Sequence, residues 1–95
     1  MEYSVEHEEI GQRGAFFVMQ DGARVAELTY GRVNASLVII DHTEVTPSLG
    51  GQGMGRRLLD AAVHWARETH TKVRTTCSFV SAQFARDPSI RDVHT

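Results

Sequence analysis

The segment Val45–Thr46–Pro47–Ser48–Leu49–Gly50–Gly51–Gln52–Gly53–Met54–Gly55–Arg56 constrains this chain more than any other, because it must join two regular elements of different hydrophobic period. Before it, Leu37–Val38–Ile39–Ile40 is a continuous aliphatic run, as expected of a central strand covered on both faces, and it continues through Asp41–His42–Thr43–Glu44–Val45. After it, Met54, Leu58, Leu59, Ala62, Val63 and Ala66 recur at spacings of three and four, which predicts an amphipathic helix lying on the sheet. The helix turns Arg56, Arg57, Asp60, His64, Arg67 and Glu68 to water. Within the connection Gly50, Gly51, Gly53 and Gly55 lack a Cβ, so main-chain N–H groups can approach a ligand closely. At a helix start several of those groups have no internal partner and the helix dipole adds partial positive charge, so the place suits phosphate oxygens. Arg56 and Arg57 add formal charge nearby. The spacing Gly51-x-Gly53-x-Gly55 fits neither the dinucleotide fingerprint G-x-G-x-x-G nor the Walker pattern. The competing reading is a loop that only turns the chain and lets the helix pack closely.

The rest of the chain supplies a sheet for that helix. Tyr3–Ile10 and Ala15–Met19 read as strands around a turn at Gly11–Gly14, and Asp21–Gly22 is a tight-turn pair before the period-two run Arg24–Tyr30, which predicts a hairpin. A break is expected at Gly31–Asn34. Lys72–Thr76 reads as a fifth strand ending at Cys77, a short helix as Ser78–Arg86, and Asp87–Pro88 as its stop. The tail from Ser89 shows no periodicity.

With 95 residues, 41% of them hydrophobic, the expectation is a single domain over residues 1–95. A net charge of −2 gives no basic excess for neutralising a nucleic-acid backbone, so no nucleic-acid partner is expected. The longest apolar stretch, Leu37–Ile40, is far shorter than the roughly 20 residues of a membrane helix, and Met1–Glu2–Tyr3 begins no signal peptide; the expected location is cytoplasmic. The one cysteine, Cys77, excludes an internal disulfide. His7, His64, His70 and His94 show no metal-ligand spacing with each other or with Cys77, so no zinc site is expected.

Gly50–Gly51–Gln52–Gly53–Met54–Gly55 resembles the acetyl-CoA signature Q/R-x-x-G-x-G/A of the GNAT superfamily. Gly50 stands where that signature usually has Arg or Gln, which removes one polar contact and leaves the amide cradle. The chain further resembles the small stand-alone GNAT-like subfamily, through Asp41–His42–Thr43–Glu44–Val45, Cys77–Ser78–Phe79–Val80 and Arg86–Asp87–Pro88; Thr75 departs from a frequent proline. The resemblance covers roughly residues 14 to 93. It implies an α+β fold in an α/β three-layer arrangement: a mixed, mainly antiparallel sheet of about five strands, a main helix after the fourth and a short C-terminal helix. It also implies acetyl-CoA as cofactor, an amine of unknown identity as acceptor, and cofactor contacts from Glu44, Val45, Gly50, Gly51, Gln52, Gly53, Met54, Gly55 and Arg56.

Two side chains stand out for chemistry. Cys77 falls where a strand meets a helix N-terminus, which favours thiolate over thiol, although a lone cysteine more often simply packs. His42 lies just before the cofactor turn; strand alternation puts Asp41 and Thr43 on the opposite face, so the imidazole is expected to face the cleft and take a proton from an ammonium substrate or from Cys77. The resemblance places both at the acetyl-transfer site. Direct attack by the amine and transfer through an acetylated Cys77 are both open, as are a CoA-binding module with little turnover and a purely structural domain.

Overall fold

The computed structural model describes residues 3–95. Five strands form one sheet in sequence order: β1 (Glu6–Ile10), β2 (Arg13–Gln20), β3 (Ala23–Asn34), β4 (Leu37–Val45) and β5 (Lys72–Thr75). The first three connections are hairpins and therefore antiparallel, whereas β4 and β5 run parallel and need a crossover. That crossover is a short 3-10 turn (Pro47–Leu49) followed by helix α1 (Met54–Glu68). A second helix, α2 (Ser78–Arg86), follows β5, and a 3-10 segment (Pro88–Val93) ends the chain.

The hairpins follow their turn chemistry. Asp21 and Gly22 both have positive φ, 52° and 81°, the twist a two-residue turn needs to match its strands. The expected break at Gly31–Asn34 does not exist: β3 runs through it, and the chain reverses at Ala35–Ser36, where the Asn34 Oδ1 accepts from the Ser36 N–H at 2.8 Å. The glycine at 31 is tolerated because β3 stays hydrogen-bonded to both neighbours there.

The six apolar residues read as the helix face, Met54, Leu58, Leu59, Ala62, Val63 and Ala66, are the six that α1 buries. They meet Phe16, Val18, Leu28, Tyr30, Val38, Ile40 and Val73 from one face of the sheet. Val80 and Phe84 of α2 and Ile90 and Val93 of the tail join the same core, so the segment without periodicity is nonetheless packed. Its anchor is Arg67 of α1, which holds both carboxylate oxygens of Asp92 and the Ser89 carbonyl. The opposite sheet face carries Glu27, Thr29, Leu37 and Ile39, all half-buried, and exposed Asp41 and Arg74. The described residues thus form the expected α+β fold around a mixed five-stranded sheet, and β4 is fully covered on the helix-bearing face only. The reason is connectivity: hairpin turns leave no segment between β1 and β4 long enough to cross the second face.

Edge strand β1 is exposed along its length and is held by polar contacts. Tyr30 donates its hydroxyl proton to Glu9 at 2.7 Å and accepts from His7 Nε2 at 2.7 Å, and Arg32 grips both Glu9 oxygens. Arg32 and then Tyr30 hold the Glu9 carboxyl down at about 2. A carboxyl depressed in the fold contributes stability that is present above its unfolded value, near 4.5, and lost as pH falls toward 2. Thermal melts of the parent should therefore drop over that window, and Glu9→Gln should flatten the drop while lowering the melting point at pH 7.

Candidate active site

Strands β4 and β5 pair from Leu37–Lys72 to Ile40–Thr75 and then part, the last link being the Thr76 N–H on the Ile40 carbonyl at 3.0 Å. Beyond it β4 continues five residues with β3 as its partner. Amides on an antiparallel strand alternate in direction, and the Thr46 N–H donates to Val25 of β3 at 2.8 Å. The main-chain groups of Val45 therefore point into the gap between β4 and β5, and those of Glu44 toward β3. Of the two residues expected to pair with the pantetheine arm, Val45 offers its backbone.

The glycine turn sits at the mouth of this gap. Gly51 and Gly53 adopt φ of 76° and 69°, a left-handed conformation costly for residues with a Cβ, and Gly53 caps α1. The Gly50 N–H is spent on the Pro47 carbonyl at 3.0 Å, and the first internal bond of α1 runs from the Arg57 N–H to Gly53. Between them, among the described residues, no acceptor meets the N–H groups of residues 51 to 56. Gly51, Gln52 and Gly53 are exposed, so the amides of these three are reachable. Gly55 lies against the Phe79 ring, which an added Cβ would meet at 3.0 Å. A 300 Å³ cavity follows, lined by the turn together with Thr43, Val45, Met54 and Phe79. An anion fits this donor set.

Arg56 does not supply the free charge read into it. Its guanidinium contacts Asp60 at 2.7 Å, Gln83 at 3.0 Å and Asp87, and Asp87 is held far below the usual carboxylate range by Ser89 and Arg56. Arg57 reaches back to the Tyr3 carbonyl. The pairing of Arg56 with Asp60 and Asp87 offsets its charge and ties α1 to α2 beside the turn, whereas Arg57, bonded to a neutral carbonyl, keeps its charge.

Cys77 lies at the N-terminus of α2, half-buried, with its Sγ donating to the Thr43 Oγ1 at 3.5 Å. Burial raises the thiol, but the Thr43 hydroxyl and the N–H groups of Val80, Phe79 and Thr43 outweigh it, and the net shift is downward. Thr75 fixes the approach: its hydroxyl donates to the Ile40 carbonyl at 2.9 Å and accepts from the Cys77 N–H at 3.0 Å. These bonds do with a hydroxyl what a proline would do by restricting the backbone.

His42 is turned the other way. Thr29 pairs with His42 and Tyr30 with Ile40, so Asp41 is an extra residue in β4. The bulge resets the alternation. Thr43, opposite the fully buried Leu28, takes the inward position that His42 was expected to hold. His42 stands on the exposed face, 3.0 Å from a Glu44 oxygen. Thr43 is the residue the sequence reading passed over, and only the bulge reveals it.

The chain belongs to the GCN5-related N-acetyltransferase family, whose model matches residues 15–93. Protein NATD1 of mouse is 32% identical over 85 residues, covering 88% of this chain and 76% of that protein; the human NATD1 is 31% identical over the same share of the chain and 74% of its own length. The NMR structure of a GCN5-like protein from Staphylococcus aureus superposes with a TM-score of 0.70 at 36% identity, covering 95% of this chain and 87% of that one. A GNAT family acetyltransferase from Elizabethkingia anophelis, solved with acetyl-CoA bound, shares the fold at a TM-score of 0.61 and 13% identity, over 79% of this chain and 52% of its own. No helix among the described residues is long and apolar enough to cross a membrane.

Proposed function

We propose that this chain is a single-domain acetyltransferase that moves the acetyl group of acetyl-CoA to an amine, with Cys77 at the reacting carbonyl. The observation that carries the reading is the run of unmet N–H groups at residues 51 to 56, opening beside the cavity that Thr43 and Phe79 line next to Cys77. In this reading the amides of Gly51, Gln52, Gly53, Met54, Gly55 and Arg56 hold the diphosphate, Gly50 shapes the turn, and the Val45 carbonyl pairs with the pantetheine arm in the manner of an added strand. Bound there, acetyl-CoA supplies the activated thioester. The Val45 N–H points into the gap and can take the developing oxyanion.

Protons are handled from two sides. Cys77, beside the cavity, protonates the departing CoA sulfur in direct transfer, or its thiolate attacks the carbonyl, expels CoA thiolate and is itself displaced by the amine. The proton that the acceptor nitrogen loses passes to solvent, because His42 stands on the outer sheet face, away from this cavity. Parallel double-reciprocal lines would identify the covalent route and intersecting lines the direct one.

Calorimetry with acetyl-CoA, followed by mass spectrometry of a panel of amines, tests the reading. Saturable binding with acetylated amines supports it; binding without turnover leaves a CoA-binding module, and no binding at millimolar ligand rejects both. Gly53→Val forces a branched side chain into the left-handed region at about 1–2 kcal/mol and re-aims the amides. Its acetyl-CoA affinity should fall about tenfold in the same titration.

A further inference from the structure

Glu27 on β3 and Glu44 on β4 are direct partners in the antiparallel ladder and project from the outer face of the sheet. Like charges placed opposite one another destabilise a sheet. His42, two residues along β4, projects from the same face, and its Nε2 is 3.0 Å from a Glu44 oxygen. One ligand atom from each of the three lies within 4.8 Å of the other two. Beside them is a 150 Å³ hollow lined by Arg24, Val25, Ala26, Glu27, Glu44 and Thr46, which leaves room for coordinated water. Among the described residues the cation in contact is Arg24, which is 3.5 Å from Glu27 and makes its shorter bond, 2.5 Å, to Glu8.

We infer that Glu27, His42 and Glu44 form a surface site for a divalent transition ion, zinc by preference, on the sheet face opposite the cofactor turn. An imidazole with two carboxylates is a ligand set for zinc and its neighbours rather than for magnesium or calcium, which take oxygen throughout. Ligand atoms around a tetrahedral zinc are a little over 3 Å apart, as their roughly 2 Å bond lengths require. The present spacing closes to that by rotation of the half-buried Glu27 and the exposed Glu44 side chains with no change in the ladder. Three protein ligands leave the fourth position to water. The ion also neutralises the facing carboxylates, which gives the site a folding consequence as well as a binding one. Spacing among the histidines and Cys77 cannot reveal such a site, because its members come from two strands and two of them are glutamates.

The site is independent of the acetyltransferase reading; its test therefore rests on binding and stability. The full chain, stripped with chelator, is titrated with zinc chloride against a chromophoric competitor, and its melting temperature is read with and without zinc. One ion per chain and a raised melting temperature are expected. His42→Ala and the pair Glu27→Gln, Glu44→Gln should each weaken binding by more than about tenfold, since even partners outside the coordination sphere are worth that much. His64→Ala, which removes the exposed His64–Glu68 pair on α1, should change nothing. Absence of zinc binding, binding that survives His42→Ala, or binding lost with His64→Ala overturns the site. Acetyl-CoA titration of the zinc-free chain reads the other proposal separately.

Discussion

Cys77→Ala is expected to lower acetyl transfer by about 10²–10⁴-fold while leaving acetyl-CoA affinity nearly unchanged. Two things set this thiol apart from a packed cysteine. Thr43 and the first N–H groups of α2 stabilise its anion against the cost of burial, and it stands where β4 and β5 have just parted. The substitution removes that sulfur and keeps the turn, whose amides belong to residues 51 to 56. Transfer rates should therefore collapse without a matching change in the calorimetric titration. Through the thiolate route the rate of the parent should climb with pH, and through the general-acid route it should fall; in both the midpoint lies below that of an ordinary thiol, and that limb should vanish in the variant. Thr43→Val, which takes away the hydroxyl and keeps the shape, should move the midpoint upward. Equal activity in Cys77→Ala would remove the thiol from the chemistry.

Gly14→Ala should cost roughly 3 kcal/mol, the upper part of the range for overpacking, and lower the melting temperature by about 15 °C. A Cβ at Gly14 would lie 2.2 Å from a carbon of the Tyr30 ring, and Tyr30 cannot withdraw. It is 1% exposed, its hydroxyl is bonded to Glu9 and His7, and its ring meets Phe16 and Trp65. Relief must come from the pairing of β2 with β3, where Gly14 and Tyr30 are partners. Adding Tyr30→Leu should return part of the loss, because the shorter side chain vacates the contact. Differential scanning calorimetry of the two variants checks both statements; a melting temperature within 3 °C of the parent for Gly14→Ala, about a fifth of the expected drop, would contradict the contact.

Elements that carry their own local signal were legible without coordinates. The face of α1 was readable because its period of 3.6 and its burial are one fact, and α2 because Cys77 and Asp87–Pro88 bracket it. Asp21–Gly22 announced a turn through its need for positive φ. What depends on register was hidden. Gly31 reads as a break only in isolation; in the sheet, bonds from both neighbours carry β3 past it. His42 was assigned to the cleft by an alternation that Asp41 interrupts, and a one-residue bulge leaves no mark on composition. The opposition of Glu27 and Glu44 likewise exists only once β3 and β4 are aligned. The glycine turn was legible as a run of open main-chain donors, but the pairing of Arg56 was only partly so, since two of its three partners lie 27 and 31 residues further along.

The central claim is that main-chain N–H groups between Gly51 and Arg56 receive the diphosphate of acetyl-CoA. Its most direct test is an amide-resolved NMR titration of the isotope-labelled chain with acetyl-CoA. Saturable shifts concentrated on Gly51, Gln52, Gly53, Met54, Gly55 and Arg56, with a lesser group at Val45 and Cys77, are the predicted result. Saturable binding that leaves those six amides unmoved and shifts residues elsewhere would contradict it.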